Sequence, residues 1–137
     1  DWCGADADGQ EEIAAYTKMS EALKATGRPI VYALCEYGAK QPWLWGKRAG
    51  GHLWRTLFDI FDNYTSILLI MNRQAKVAPY ATQQGWNDPD MLEVGNGKMT
   101  DTEYRSHFSL WAMMAAPFRA TNTTSPPSHP IKRRWTS

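Results

Sequence analysis

Four carboxylates in this chain stand where an enzyme could use them. Asp1 opens the sequence. Glu36, Asp59 and Asp90 each follow a short apolar run and precede turn residues and then a helical stretch. Apolar strand, carboxylate, turn and helix, in repetition, predict an α/β fold of the (β/α) barrel kind, whose functional groups gather at the C-terminal ends of the strands. Carboxylates brought to one rim do acid–base or nucleophilic work, most familiarly on a glycosidic bond.

Arg55, Leu57 and Asp59 alternate, so an extended segment presents all three on one face. An arginine then stands beside a carboxylate at the exit of a strand. One reading is a structural ion pair. The sharper one has Arg55 gripping a substrate hydroxyl while Asp59 handles a proton. A guanidinium close by favours an ionised carboxylate, which opposes proton donation, so burial or a second carboxylate such as Asp1 must offset it.

Other chemistries are poorly served. Asp6-Ala7-Asp8-Gly9 resembles part of a calcium loop, but the first and twelfth positions would be Gly4 and Ala15. Helix capping by Asp8 explains the run better. His52 and His107 have no partner at metal-ligand spacing, and His107 reads as a packed or surface residue of a helix. Neither Cys35 nor any serine belongs to a nucleophile triad. No metal site and no cofactor is expected.

Several elements must position these groups. Asp8 and Glu11 form a capping-box-like start to a helix carrying Ile13, Tyr16, Met19 and Leu23, which ends at Gly27 and Pro29. Ile30 to Leu34 is a short apolar run, expected as a strand buried on both faces. Residues 41–51 read as a loop holding at most a short helix. His52 to Phe58 is a second strand, ending at Asp59, and a helix follows around Ile67 to Met71. Trp86 to Leu92 is broken by Pro89 and reads as a short strand plus a functional loop. Thr100 and Glu103 form a capping box for a helix with Tyr104, Phe108, Trp111 and Ala115 on its apolar stripe. Pro117 stops it, and Phe118 to Thr121 begin a last strand. From Asn122 onward the chain is rich in Pro, Ser and Thr without a period and is expected to be irregular.

Composition sets outer bounds. The 137 residues are 43% hydrophobic and 21% charged, as in globular domains, with a formal net charge of +1. That balance gives no reason to expect a nucleic-acid partner. No apolar stretch is long enough to span a membrane, and these residues carry no signal-peptide pattern. Seven Trp and six Tyr exceed what such a length needs, and serve either a core or a sugar-facing wall.

Taken together, DWCGA at 1–5, TGRPIVYALCEYG at 26–38, GGHLWRTLFDI at 50–60, GWNDPDMLEVGNG at 85–97 and FSLWAMMAAP at 108–117 closely resemble the α-galactosidases (melibiases) of glycoside hydrolase family 27. The likeness covers about residues 1–121. It implies an incomplete (β/α)8 barrel, roughly strands five to eight with the end of strand four, and an irregular tail at 122–137. It also implies hydrolysis of terminal α-galactosyl residues by double displacement with retention, on a small or oligosaccharide α-galactoside. Secreted, periplasmic or lysosomal localisation follows from the same resemblance, while the oligomeric state does not.

The resemblance assigns roles residue by residue. Asp1 matches the nucleophile and Asp59 the acid/base. Arg55 matches the arginine that binds ring hydroxyls, and Glu36 a residue near the 2-hydroxyl. Tyr37 stands where a tryptophan is usual, and Asp90 and Met91 shape the pocket floor. Cys3, counted with the substrate-binding set, matches a cysteine whose usual disulfide partner lies upstream. The family's earlier strands and paired sugar-gripping aspartates are absent from these residues, so the piece is expected to be inactive alone. Two alternatives accompany this reading. One is α-N-acetylgalactosaminidase activity, which Glu36 and Tyr37 leave little room for. The other is a non-catalytic partial gene product.

Overall fold

The computed structural model describes Trp2 and residues 11–116. The first helix, α1 (Glu12–Ala25), is capped by the Glu11 carboxylate, which accepts the Ala14 amide at 2.7 Å. Asp8, expected to cap it, lies outside the described residues. The helix buries Glu12, Tyr16 and Ser20 and leaves Ile13 and Met19 exposed, so the apolar stripe read from Ile13 and Met19 is not its packed face. Tyr16 is the anchor: its hydroxyl donates to the Cys35 carbonyl at 2.8 Å.

Three short strands form one parallel sheet in chain order: β1 (Ala33–Leu34), β2 (Leu53–Arg55) and β3 (Trp86–Asp88). Ala33 and Leu34 pair with Leu53 and Trp54, and Leu53 to Arg55 pair with Trp86 to Asp88. Parallel neighbours require crossovers. The first contains the single turn α2 (Pro42–Trp45), which starts on Pro42. The second contains α3 (Tyr64–Val77), whose Ile67, Ile70, Gln74 and Val77 recur at helical spacing and are buried. The last helix, α4 (Asp101–Met113), carries both halves of the expected Thr100–Glu103 capping box.

Both strands predicted first are shorter than their apolar runs. Val31 is 74% exposed, so the segment before Ala33 is not buried on both faces. β2 stops at Arg55, the Thr56 amide still donates to the Asp88 carbonyl of β3 at 3.3 Å, and the chain then bends at Leu57 and Phe58. Strand alternation therefore does not carry Asp59 beside Arg55; the turn does.

Two apolar clusters flank the sheet. Tyr16, Leu34, Trp45, Ala49 and Trp54 join α1 and α2 to β1 and β2. Ile60, Ile67, Ile70, Met99, Tyr104, Trp111 and Ala116 join α3 and α4 beneath the loops that follow β2 and β3. On α4 the buried face is Tyr104, His107 and Trp111, while Phe108 and Ala115 are exposed. The turn also differs from the expected stripe because His107 is packed. The segment from Phe118 and the tail at 122–137 lie outside the described residues.

Candidate active site

The sheet ends β1, β2 and β3 open onto one cavity of about 400 Å³. Its lining includes Cys35, Tyr37, Arg55, Asp59, Asp88, Asp90, Met91 and Glu93. The three connections after the strands thus bring most of the expected groups together. Asp1 and Cys3 lie outside the described residues. Their neighbour Trp2 donates its amide to the Cys35 carbonyl at 2.7 Å, at the end of β1.

Arg55 organises the cavity. Its Nη2 lies 2.7 Å from Asp90 Oδ2 and 3.0 Å from Asp59 Oδ1, and its Nη1 lies 4.0 Å from the Cys35 sulfur. The two carboxylates are unequal. Asp90 is buried and saturated: Oδ2 also accepts the Ile60 amide at 2.9 Å, and Oδ1 the Met91 amide at 2.8 Å. Asp59 exposes 64% of its side chain and is the freer of the two. Among the described residues nothing supplies the burial that proton donation by Asp59 was expected to need.

The loop after β1 turns through Tyr37 and Gly38, both at positive φ. A side chain at Gly38 would collide with the Thr56 carbonyl, 2.1 Å from an added Cβ, so the close approach of this loop to β2 requires glycine. The turn sends Cys35 and Tyr37 toward the cavity and Glu36 away from its lining. Glu36 is buried behind that wall. One of its oxygens accepts the Lys40 amide at 2.6 Å and the other has no hydrogen-bond partner. Burial pushes its carboxyl up to about 7, against the hydrogen bond from Lys40, with the nearby Glu12 adding to the rise. Burial likewise pushes the Cys35 thiol up, against the pull of Arg55. Cys35 is a free thiol.

Glu93 is a cavity carboxylate to which the sequence reading gave no role. Burial raises its pKa, opposed by a hydrogen bond from Asn96. Its place three residues after Asp90 in the same loop is the available signal, which apolar Leu92 and Val94 on either side obscure. Asp88 also reaches the lining, where its Oδ1 accepts the Asp90 amide at 2.9 Å. No group of three His, Cys, Asp or Glu among the described residues could hold a metal ion. No helix among them is long and apolar enough to cross a membrane.

A parallel α/β sheet with an arginine between two carboxylates at its strand ends defines a class of site that comparison with known proteins narrows. The family model described as Alpha galactosidase A (Melibiase_2) matches residues 1–127, and the chain belongs to that family. It is 53% identical to α-galactosidase 3 of Arabidopsis thaliana, over 80% of this chain and 25% of that protein. With α-galactosidase A of Cellvibrio japonicus it shares 44% identity, over 89% of this chain and 32% of that protein. Among solved structures, α-galactosidase I of Mortierella vinacea matches with a TM-score of 0.76 and 34% identity, over 82% of this chain and 34% of that one. A Saccharomyces cerevisiae α-galactosidase solved with raffinose matches with a TM-score of 0.73 and 35% identity, over 77% of this chain and 28% of that one. The chain thus spans about a quarter to a third of the length of these relatives.

Proposed function

We propose that these residues form part of an enzyme that hydrolyses terminal α-galactosyl residues with retention, on a galactoside such as the oligosaccharide raffinose. Residues 1–121 are then the C-terminal half of a (β/α)8 catalytic domain, with β1, β2 and β3 as its fifth, sixth and seventh strands and 122–137 as an irregular extension. The observation that carries this reading is Arg55 holding Asp59 at 3.0 Å on the rim of a cavity at the C-terminal ends of parallel strands. Family membership supports it independently.

In this mechanism Asp1 attacks the anomeric carbon as the leaving oxygen takes a proton from Asp59. Water, deprotonated by Asp59, then releases the sugar. Arg55 holds ring hydroxyls as well as Asp59. Cys35 and Tyr37 form one wall, and Asp90 and Met91 the floor. Glu36 acts from behind the wall, because its carboxyl does not line the cavity. Exclusion of a 2-acetamido group falls to Cys35 and Tyr37, and it favours galactose over N-acetylgalactosamine. No step calls for a metal or cofactor. Family relationship favours a secreted, periplasmic or lysosomal enzyme.

The test is a graft. Residues 1–121 replace the matching segment of the Mortierella vinacea α-galactosidase, and hydrolysis of nitrophenyl α-galactoside and nitrophenyl α-N-acetylgalactosaminide is measured. The expected result is turnover of the galactoside, lost by about 10²–10⁴-fold in Asp59→Asn, the range general acid–base groups contribute. A folded graft without turnover, or one that prefers the acetamido sugar, sinks the proposal.

A further inference from the structure

Two fully buried side chains of α4, His107 and Trp111, sit one helical turn apart and face the loop that follows β3. The Trp111 indole N–H donates to the Asp90 carbonyl at 2.8 Å, and His107 Nε2 accepts the Glu93 amide at 3.0 Å. Their rings meet edge to face with centroids 4.1 Å apart. The loop is therefore fastened to the helix at two points, on either side of Met91 and Leu92.

Asp90 lies at φ +81°, a left-handed conformation that a Cβ disfavours, though aspartate tolerates it better than most residues. Such a conformation persists only where its surroundings over-determine it. Here the Asp88 carboxylate holds the Asp90 amide and Trp111 holds its carbonyl. So held, the Asp90 carboxylate turns back to receive Arg55 Nη2, the same nitrogen that reaches Asp59.

Filling a core needs no ring nitrogen. A phenylalanine and a leucine occupy similar space, yet both of these rings direct a nitrogen to buried loop backbone. We propose that His107 and Trp111 are positioning residues of the cavity: they pin the loop after β3, keep Asp90 left-handed, and thereby set the place of Arg55 and, through it, of Asp59. The consequence for catalysis rests on the glycosidase reading, whereas the positioning itself does not.

In the full chain, Trp111→Phe keeps an aromatic ring and removes the donor. The expected result is a shift in the NMR resonances of the Ile60 and Met91 amides and of the Arg55 guanidinium. Ile60 amide exchange should rise about tenfold, as for a lost hydrogen bond, while resonances of α1 stay in place. His107→Leu produces the same shifts, and His107→Gln, which returns an acceptor oxygen toward the Glu93 amide, restores the original spectrum.

A folded Trp111→Phe chain with unmoved Arg55 and Ile60 signals overturns the proposal. So does a His107→Gln spectrum no closer to the original than that of His107→Leu. Loss of a dispersed spectrum in both Trp111→Phe and His107→Gln also overturns it, by assigning the rings a purely packing role. A graft inactive with every residue intact defeats the glycosidase reading alone, because the Arg55 signature still decides the positioning.

Discussion

Arg55 and Asp90 are buried together, with Nη2 2.7 Å from Oδ2, and this ion pair is tighter and drier than the one Arg55 makes with Asp59. Removing one partner of a buried pair leaves the other charge uncompensated. Asp90→Ala is therefore expected to destabilise the fold by about 3–5 kcal/mol in urea unfolding. Asp90→Asn should cost less, since asparagine tolerates the left-handed conformation and keeps an acceptor. Equal losses for the two variants would mean that the charge, rather than the loop geometry, dominates.

Two buried groups make opposite contributions to pH dependence. Glu36 is raised from 4.5 to about 7, chiefly by burial, so the folded chain binds its proton more tightly than the unfolded chain. Its contribution is full below pH 4.5 and is lost as pH rises through about 7. His107 is lowered from 6.5 to about 4, again chiefly by burial, and its contribution is lost as pH falls through that window. Each slope reaches at most ~1.4 kcal/mol per pH step of one. Between pH 4.5 and 6.5 they oppose each other. Glu36→Gln should make stability rise more steeply with pH there, and His107→Gln should make it fall. Urea midpoints across that interval check this, and identical slopes in both variants would defeat it.

Gly38 sits at φ +72° against the Thr56 backbone. Gly38→Ala adds left-handed strain of roughly 1–2 kcal/mol and a backbone collision. The expected outcome is a loss exceeding that strain alone, with displaced Cys35 and Tyr37. An unchanged melting temperature would contradict the close contact between this loop and β2.

The C-terminal end of α4 closes with the Ala116 amide on the Trp111 carbonyl and the Ala115 amide on the Ala112 carbonyl. Ala115, the residue after the cap, has φ +49°, a position that glycine favours. Ala115→Gly should stabilise the fold by about 1 kcal/mol, measurable by thermal unfolding. A decrease would show that glycine's greater freedom in the unfolded chain outweighs the relief.

Asp59 exposes 64% of its side chain to solvent, where electrostatic interactions are weak. The 137-residue chain alone should therefore show no saturable hydrolysis of nitrophenyl α-galactoside. Measurable turnover by the purified chain would mean that Asp59 needs no further covering.

Much of this molecule was legible in its sequence because local chemistry decides it. The Thr100–Glu103 capping box and the helix around Ile67 to Met71 involve atoms a few positions apart, and both formed as read. The five motifs likewise carried the family. Tertiary structure alone decided the rest. Strand length depends on which backbone groups find partners across the sheet, so β2 ended at Arg55 although its apolar run continued. A left-handed turn at Tyr37 and Gly38 left Glu36 behind the cavity wall while Cys35 and Tyr37 reached its lining, an outcome no residue type announces. The pairing of Arg55 with Asp90, and the bonds from the two rings of α4 to Asp90 and Glu93, join residues 14 to 35 positions apart. Such contacts form only once the chain has folded back on itself, because burial and direction, rather than sequence spacing, determine which charged groups meet.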